Sequence, residues 1–349
     1  MLDFTNCNLK SVIAHQVGNK TNDEELILST NLLDINDLRL RELLIRYFLN
    51  PFIDSEEFYS FTFSDGDFKL NPLYQYSNTI FSNDDCIKEK SGSIAKLLFE
   101  IAIHPQIKSG DLFVATFKNI SIDGQIVDAL GIYKSENRQE FLKLNKKTKE
   151  FLLKYEDGIN IDKLDKGCLI FDVNNENGYK ICIIDKLNKS SEARYWVDFF
   201  LNVVPIKTNF HQTNQFLGIA KQFVTKQLPE DFDVSKADKI DFLNRSVDYF
   251  KKHETFDKEK FEETVFGDST IIDSFRKFDQ TFRKENEIEI TDNFEISTQA
   301  VKKQARVFKS VLKLDKNFEI LIHGNTELIE NGVDENGRKF YKIFYNEEN

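Results

Sequence analysis

Proline and cysteine are both scarce in this chain, with five prolines and four cysteines in 349 residues. Because no stretch is rich in Pro, Gly or Ser either, there is no candidate for a long flexible linker, and no internal repeat or low-complexity segment stands out. The cysteines, Cys7, Cys86, Cys168 and Cys182, form no C-x-x-C pair, and the five histidines add no ligand spacing, which argues against a zinc site. Cys168 and Cys182 fall on neighbouring expected strands and could face each other. Reduced, buried thiols are nevertheless expected there rather than a disulfide. The longest uncharged apolar run, residues 199–206, is far short of the roughly 20 residues needed to cross a bilayer. Asp3 stands where a secretory leader needs a basic and then apolar opening. The expectation is a cytoplasmic protein with no membrane partner.

Several catalytic signatures are also missing. Gly18-Asn19-Lys20 lacks the second glycine and the spacing of a phosphate loop, and no G-x-S-x-G elbow, H-E-x-x-H helix or dinucleotide fingerprint occurs. A Mg²⁺-dependent nuclease would need an acid on one strand and an acid and a lysine one residue apart on the next. Asp111, Asp128 and Lys134 lie on suitable expected strands, but their spacing fails that test. No catalytic residue, metal or cofactor is expected.

What is present is the composition of a folded protein, with 40% hydrophobic and 30% charged residues and 33 phenylalanines. The length suits about two domains, each able to bury its own core. Net charge is −11, from 58 acidic and 47 basic side chains, so any nucleic acid must be held by local patches rather than by an overall basic surface.

The first half reads as mixed. Residues 9–18 and 25–30 are apolar segments around a turn-rich 18–23, which predicts an opening hairpin. Asn36-Asp37 start a helix that Pro51 ends, and Asn71-Pro72 start another. A further helix runs to His104 and stops at Pro105, where His104 is expected to meet the last carbonyls. Period-two patterning then predicts an antiparallel meander over 111–120, 125–135, 166–173 and 179–186. Within it, residues 138–154 carry six basic against two acidic residues and read as a helix, either a second contact surface or a solvated edge. Ser190-Ser191 cap a helix whose Trp196 belongs to a core face, and Pro205 marks the boundary between domains 1–205 and 206–349.

The second half reads as helical, with a capping box at Ser235 and Asp238. Short helices around 253–256 and 267–268 have the outline of a helix-turn-helix, but residues 228–296 hold 19 acidic against 11 basic side chains, which would repel phosphate. That section is expected to act as scaffold or as a surface for a protein partner. Residues 297–324 differ from this background. Ser297 is a good N-cap, and winding the next residues at about 100° each places Ala300, Val301, Ala305, Phe308, Val311 and Leu312 on one face. Lys302, Arg306, Lys309 and Lys313 form a stripe opposite, with Lys303 at its margin, and no acid interrupts it up to Leu314. The stripe is read either as a solvated face or as a phosphate-binding one. Small strands follow, and Arg338, Lys339 and Lys342 extend the positive charge. The fold class is therefore α+β: an N-terminal antiparallel sheet region with flanking helices, then a C-terminal helical region ending in a basic helix and a small antiparallel sheet.

Six stretches carry a resemblance to a known family. They are His15-Gln16-Val17-Gly18-Asn19-Lys20, AKLLFE with HPQIKSGDL, VDALGIYKSE, GINIDKLDKGCLIF, EARYW with DFFL, and AVKKQARVFKSVLKLDKNF with IHG. In that order the chain resembles the NdpA-like (YejK-like) nucleoid-associated proteins of bacteria, in a Phe-rich branch. The resemblance implies a place in the nucleoid and association with double-stranded DNA, with no known enzymatic activity and no catalytic residues to transfer. It places only the KKQARVFKSVLK motif, on Lys302, Lys303, Arg306, Lys309 and Lys313; their DNA-binding role comes from charge geometry. Glu319 stands where related sequences have a histidine. The expected unit is a homodimer, since one acidic protomer has too short a basic stripe to hold DNA alone.

Overall fold

The largest feature of the molecule is a nine-stranded antiparallel sheet, four of whose strands come from the apolar runs between residues 110 and 185. The computed structural model describes residues 2–147, 150–185, 195–286, 288–305, 311–314, 318–321, 328–345 and 347, with the backbone alone at 147, 311–313 and 331. The chain divides into two units, Met1–Ile206 and Lys207–Asn349. Its class is α+β.

The first unit runs β1 (Leu2–Asp3), β2 (Asn8–Val17), β3 (Leu26–Ile27), α1 (Leu38–Leu49), β4 (Tyr59–Phe61), α2 (Pro72–Ser82), α3 (Ile87–Ile101), β5 (Gly110–Ile122), β6 (Gln125–Ser135), β7 (Arg138–Lys147), β8 (Glu150–Ile159), β9 (Lys166–Phe171), β10 (Lys180–Asp185) and β11 (Val203–Pro205). The sheet order is β11-β4-β10-β9-β6-β5-β2-β3, with β1 beside β5. Both faces are covered. Leu112, Val114, Leu130, Ile132, Cys168 and Ile170 pack against α2, α3 and the π-helical turn Tyr195–Leu201, whose Trp196 is fully buried. Ala115, Phe117, Ala129, Tyr133, Leu169 and Cys182 pack against α1, where Phe48 stacks on Tyr133 with ring centroids 4.4 Å apart.

Two buried asparagines fasten the helices to this sheet. Asn71 caps α2 by accepting from the N–H groups of Leu73 and Tyr74, while its amide donates to the carbonyls of Thr62, Leu201 and Asn202. Asn19 donates to the carbonyls of His104 and Ile107 and accepts from Thr21 N–H. Beside it Gly18 is pressed against the 24–25 backbone, where a Cβ would come 2.5 Å from the Glu25 carbonyl oxygen. The Gly18-Asn19-Lys20 stretch is thus a loop staple.

Three expectations are corrected here. Residues 138–154 are not a helix but the β7–β8 hairpin, because Leu142 and Leu144 alternate with polar residues and pair across it with Tyr155 and Leu153. Cys168 and Cys182 do not face each other: the register sets Cys168 opposite Ile183 and Cys182 opposite Leu169, so the two thiols lie on opposite faces. His104 does not cap a helix. α3 ends at Ile101, and Pro105 holds His104 outside the helical region, where its Nδ1 accepts from Gln106 N–H.

The second unit runs α4 (Asn209–Gln222), a π-helical stretch Phe223–Gln227, α5 (Leu228–Asp231), α6 (Lys236–Lys252), β12 (Thr255–Asp257), α7 (Lys258–Val265), α8 (Ser269–Glu285), β13 (Asn293–Glu295), α9 (Thr298–Ala305), β14 (Val311–Leu314), β15 (Phe318–Leu321), β16 (Ile329–Val333) and β17 (Lys339–Ile343). Its core is phenylalanine-rich: Phe216, Phe223, Phe250, Phe256, Phe261 and Phe275 pack together, and Phe250 stacks on Phe256 at 5.2 Å. The expected capping box at Ser235 and Asp238 is present. The β12–β13 pair was not anticipated; it takes in part of the supposed 253–256 turn. Among the described residues no helix is long and apolar enough to cross a membrane.

Buried His15 gives the first unit a testable pH dependence. Its Nδ1 accepts from Ser29 N–H at 3.1 Å, its Nε2 has no partner among the described residues, and burial holds its pKa below the ordinary value of 6.5. The unfolded chain therefore binds the proton first. Stability attributable to His15 is complete above pH 6.5 and is lost as pH falls from there toward the folded pKa. Thermal melting from pH 7 to 5 should show this loss in the natural protein and a shallower one in His15→Gln; parallel curves would exclude His15 as the cause.

Candidate nucleic-acid interface

The basic helix is shorter than its sequence suggests. α9 spans Thr298–Ala305, and Val311–Leu314 form a strand instead of a fourth helical turn. The physical reason lies in the next segment: Val-Leu-Lys-Leu pairs register for register with Phe318–Leu321, and Leu314 and Ile320 pack on Ile240 of α6. The single stripe of four cations is therefore not one helical face. Lys302 and Lys303 are on α9, Lys313 is on β14 with Glu319 as its cross-strand neighbour, and Arg306 and Lys309 lie outside the described residues.

What remains of α9 is firmly placed. Ser297 caps it, its side chain accepting from Ala300 N–H, while Ser297 N–H donates to Thr213 Oγ1 at 3.0 Å on α4. Gln304 bonds Asn214, and Ala300 and Val301 are buried. Lys302 and Lys303 are left exposed, the latter with its ammonium 5.3 Å from the centroid of the Phe210 ring.

The fold brings other cations beside them. The chain has three Lys-Lys pairs, Lys146-Lys147, Lys251-Lys252 and Lys302-Lys303. Lys251 and Lys252 close the last turn of α6 and, with Lys302, border one cleft of about 940 Å³ between α6 and α9. Lys252 and Lys302 make no ion pair among the described residues, whereas Lys251 is 3.5 Å from Asp248. His253 stacks on Tyr249, and its Nδ1 must donate to the Tyr249 carbonyl, which can only accept. Glu254 and Glu295 also line the cleft, so three lysines and two carboxylates border it. Sequence reasoning passed over Lys251 and Lys252 because the acidic average of residues 228–296 hid them. The doubled lysine just before a helix stop was the available signal.

Other charged groups are committed internally. Arg338 pairs with Asp334 and Lys342 with Glu330, which removes two of the three cations expected to extend the patch. A larger cleft of about 1220 Å³ is lined by Lys258, Arg276 and Arg283, but Lys258 and Arg283 hold Asp279 and Asp292 in one ion-pair network and Arg276 pairs with Glu262. Burial raises the Glu262 pKa, opposed by Arg276.

The nuclease residues do not converge. Asp111 is opposite Ser135 and so faces away from Lys134, while Asp128 is six residues from Lys134 on one strand, about 20 Å. Asp111 pairs with Arg138 and Asp128 with Lys118. Lys134 is buried, and all three of its donors are used, on the Lys108 carbonyl, Glu136 and Tyr195 Oη. Desolvation lowers its pKa against the pull of Glu136. Lys166 pairs with Asp185 beside it, and Asp165 accepts from the N–H groups of Glu136 and Asn137. Residues from the VDALGIYKSE, GINIDKLDKGCLIF and EARYW stretches thus meet in one filled polar cluster. Among the described residues no group of His, Cys, Asp or Glu could hold a metal ion.

Fold and surface together define an acidic α+β protein of two units with a local lysine patch on the second. The family model for nucleoid-associated protein YejK matches residues 13–346, nearly the whole chain, and the chain belongs to this family. A search of curated proteins finds no significant match. Family membership supports a nucleoid-associated role.

The placement of α9 can be tested without any ligand. Thr213→Val keeps the shape of the side chain but leaves Ser297 N–H without its acceptor. The expected cost is about 1–3 kcal/mol in urea unfolding, and an unchanged midpoint would mean that α9 does not depend on this bond.

Proposed function

We propose that the chain is a non-enzymatic, nucleoid-associated protein that binds double-stranded DNA through its phosphates, without sequence specificity, and works as a homodimer. The observation that carries this reading is the convergence of Lys251, Lys252 and Lys302 on one cleft, with Lys303 alongside, on a protein of net charge −11. Lysine supplies point charges suited to phosphate oxygens rather than the planar fork that reads guanine. Gln304, the nearby side chain able to read a base edge, is already bonded to Asn214. The two-fold pairing of such patches would double the number of phosphates engaged.

Binding should be weak and strongly salt-dependent. With about four to six phosphates engaged, log affinity should fall against log salt with a slope of roughly −4 to −5. Fluorescence anisotropy on a duplex at several salt concentrations measures this, and binding that ignores salt would refute the phosphate mechanism.

The location is tested by charge reversal. Lys251→Glu, Lys252→Glu and Lys302→Glu together should lower affinity by about tenfold or more and reduce the salt slope by about one unit for each phosphate no longer engaged. Folding should be preserved, because exposed substitutions usually cost within about 0.5 kcal/mol each. Lys277→Glu with Lys284→Glu, exposed on α8 of the same unit, is the control. If the control lowers affinity as much as the cleft variant, the cleft is not where DNA binds.

A further inference from the structure

Among the described residues the β7–β8 hairpin belongs to no larger sheet: its two strands pair only with each other, ten residues against ten. At about 3.3 Å per residue it is an arm of roughly 33 Å. Its root is fixed, since Arg138 pairs with Asp111 at 2.8 Å and Asn160 bonds Gln139 at 2.8 Å. Its two faces differ. On one, the Phe141 ring lies over Gly158, where a Cβ would come within 3.2 Å of the ring, and Lys143 pairs with Glu156. On the other, Leu142, Leu144, Phe151, Leu153 and Tyr155 stand beside one another across the strands and are 77%, 61%, 64%, 59% and 70% exposed.

Five large apolar side chains on an isolated two-stranded ribbon are a liability, because such a ribbon is at best marginally stable in water and its apolar face invites association. The same face carries a charge pattern that says what covers it. Glu140 and Asp157 lie opposite each other toward the root, the apolar residues occupy the middle, and Lys146 lies toward the tip opposite Phe151. All three are exposed, and Arg138, at the very root of the same face, is taken up by its ion pair with Asp111. Turning a second copy about a two-fold axis perpendicular to the arm superposes the apolar centres and sets each Lys146 over the partner's acidic root. The pattern complements itself only in this antiparallel arrangement.

We propose that this face of β7–β8 is the dimer interface, two copies of the chain packing their arms face to face and antiparallel. The inference rests on the dimeric reading above and names the surface that makes the dimer. Five side chains per copy, each burying roughly 100 Å², give about 1,000 Å² in total, the lower end for a specific interface, so the dimer should come apart on dilution. A DNA groove is the less suitable occupant, since it would leave the apolar side chains wet.

Sedimentation velocity on the full chain over a range of concentrations tests this. The natural protein should be a dimer at high concentration. Leu144→Glu with Leu153→Glu should give a monomer with an unchanged circular dichroism spectrum. Lys146→Glu alone, and Glu140→Lys with Asp157→Lys alone, should each weaken association by about tenfold, and combining all three should restore it. These charge variants keep every apolar residue, so they decide the matter even where the double glutamate variant misfolds. A natural protein that is monomeric at every concentration would overturn both the dimer and the arm interface. A dimer that survives the arm substitutions would overturn only the interface, and if those substitutions then abolish duplex binding, the arm meets DNA instead. Failure of the combined variant to recover would overturn the antiparallel arrangement.

Discussion

The first unit depends on a sheet that must stay dry on both faces. Strand β9 is buried along its whole length and β6 along most of it, which antiparallel strands seldom are, and each face needs its own helical cover. This constraint explains the placement of α1 on one side and α2 and α3 on the other. It also explains why the two asparagine staples matter: Asn19 and Asn71 satisfy carbonyls where covering segments leave the sheet, and buried carbonyls without partners would cost about 1–3 kcal/mol each. The polar cluster of Lys134, Glu136, Lys166 and Asp185 fills one end of the same layer. Removing any one of those charges would leave its partner buried alone, so the cluster is a specific and costly plug at that end of the sheet.

The arm is the exception to that rule. Chain that leaves β6 after Ser135 and returns to β9 at Lys166 has passed beyond the helical cover, yet its residues still alternate apolar with polar. A sheet segment with one apolar face has the pattern of half a sandwich. Among the described residues the other half is missing, and for that reason the face asks for a second molecule where Phe117 or Leu169 does not.

How much was legible in the sequence follows from which periods were unambiguous. The meander strands and the caps at Asp37, Asn71 and Ser235 were readable because turn residues and period-two runs left no competing pattern. Two segments were misread for the same reason: in residues 138–154 and 311–314, leucines spaced two apart sit among lysines, and short Leu/Lys runs satisfy a helical face almost as well as a strand face. Only a partner strand decides between them, and sequence order alone did not reveal Tyr155 opposite Leu142 or Ile320 opposite Leu312. Of the proposed site, Lys302 and Lys303 were picked out from the sequence. Lys251 and Lys252 were not, because averaging charge over 69 residues erases a pair that the fold sets beside α9.

An acidic protein that meets DNA faces opposing effects of salt. The 11 net negative charges act at long range and are screened beyond about 8–10 Å at physiological ionic strength, whereas a lysine touching phosphate acts inside that distance. Raising salt from very low values therefore weakens the repulsion of the body while it weakens the lysine–phosphate pairs by counterion release. The first effect makes approach easier, and the second makes release easier. With only a few lysines at the proposed interface, the two would be closer in size than in a uniformly basic binder, so a salt slope would report the phosphate pairs less the screened repulsion. Placing the lysines in pairs at the meeting of two helix ends is one way for such a chain to keep the local attraction dominant: Lys251 and Lys252 sit where the negative end of the α6 dipole holds cations, and the neighbouring Lys302 adds its charge across the cleft rather than along one helix.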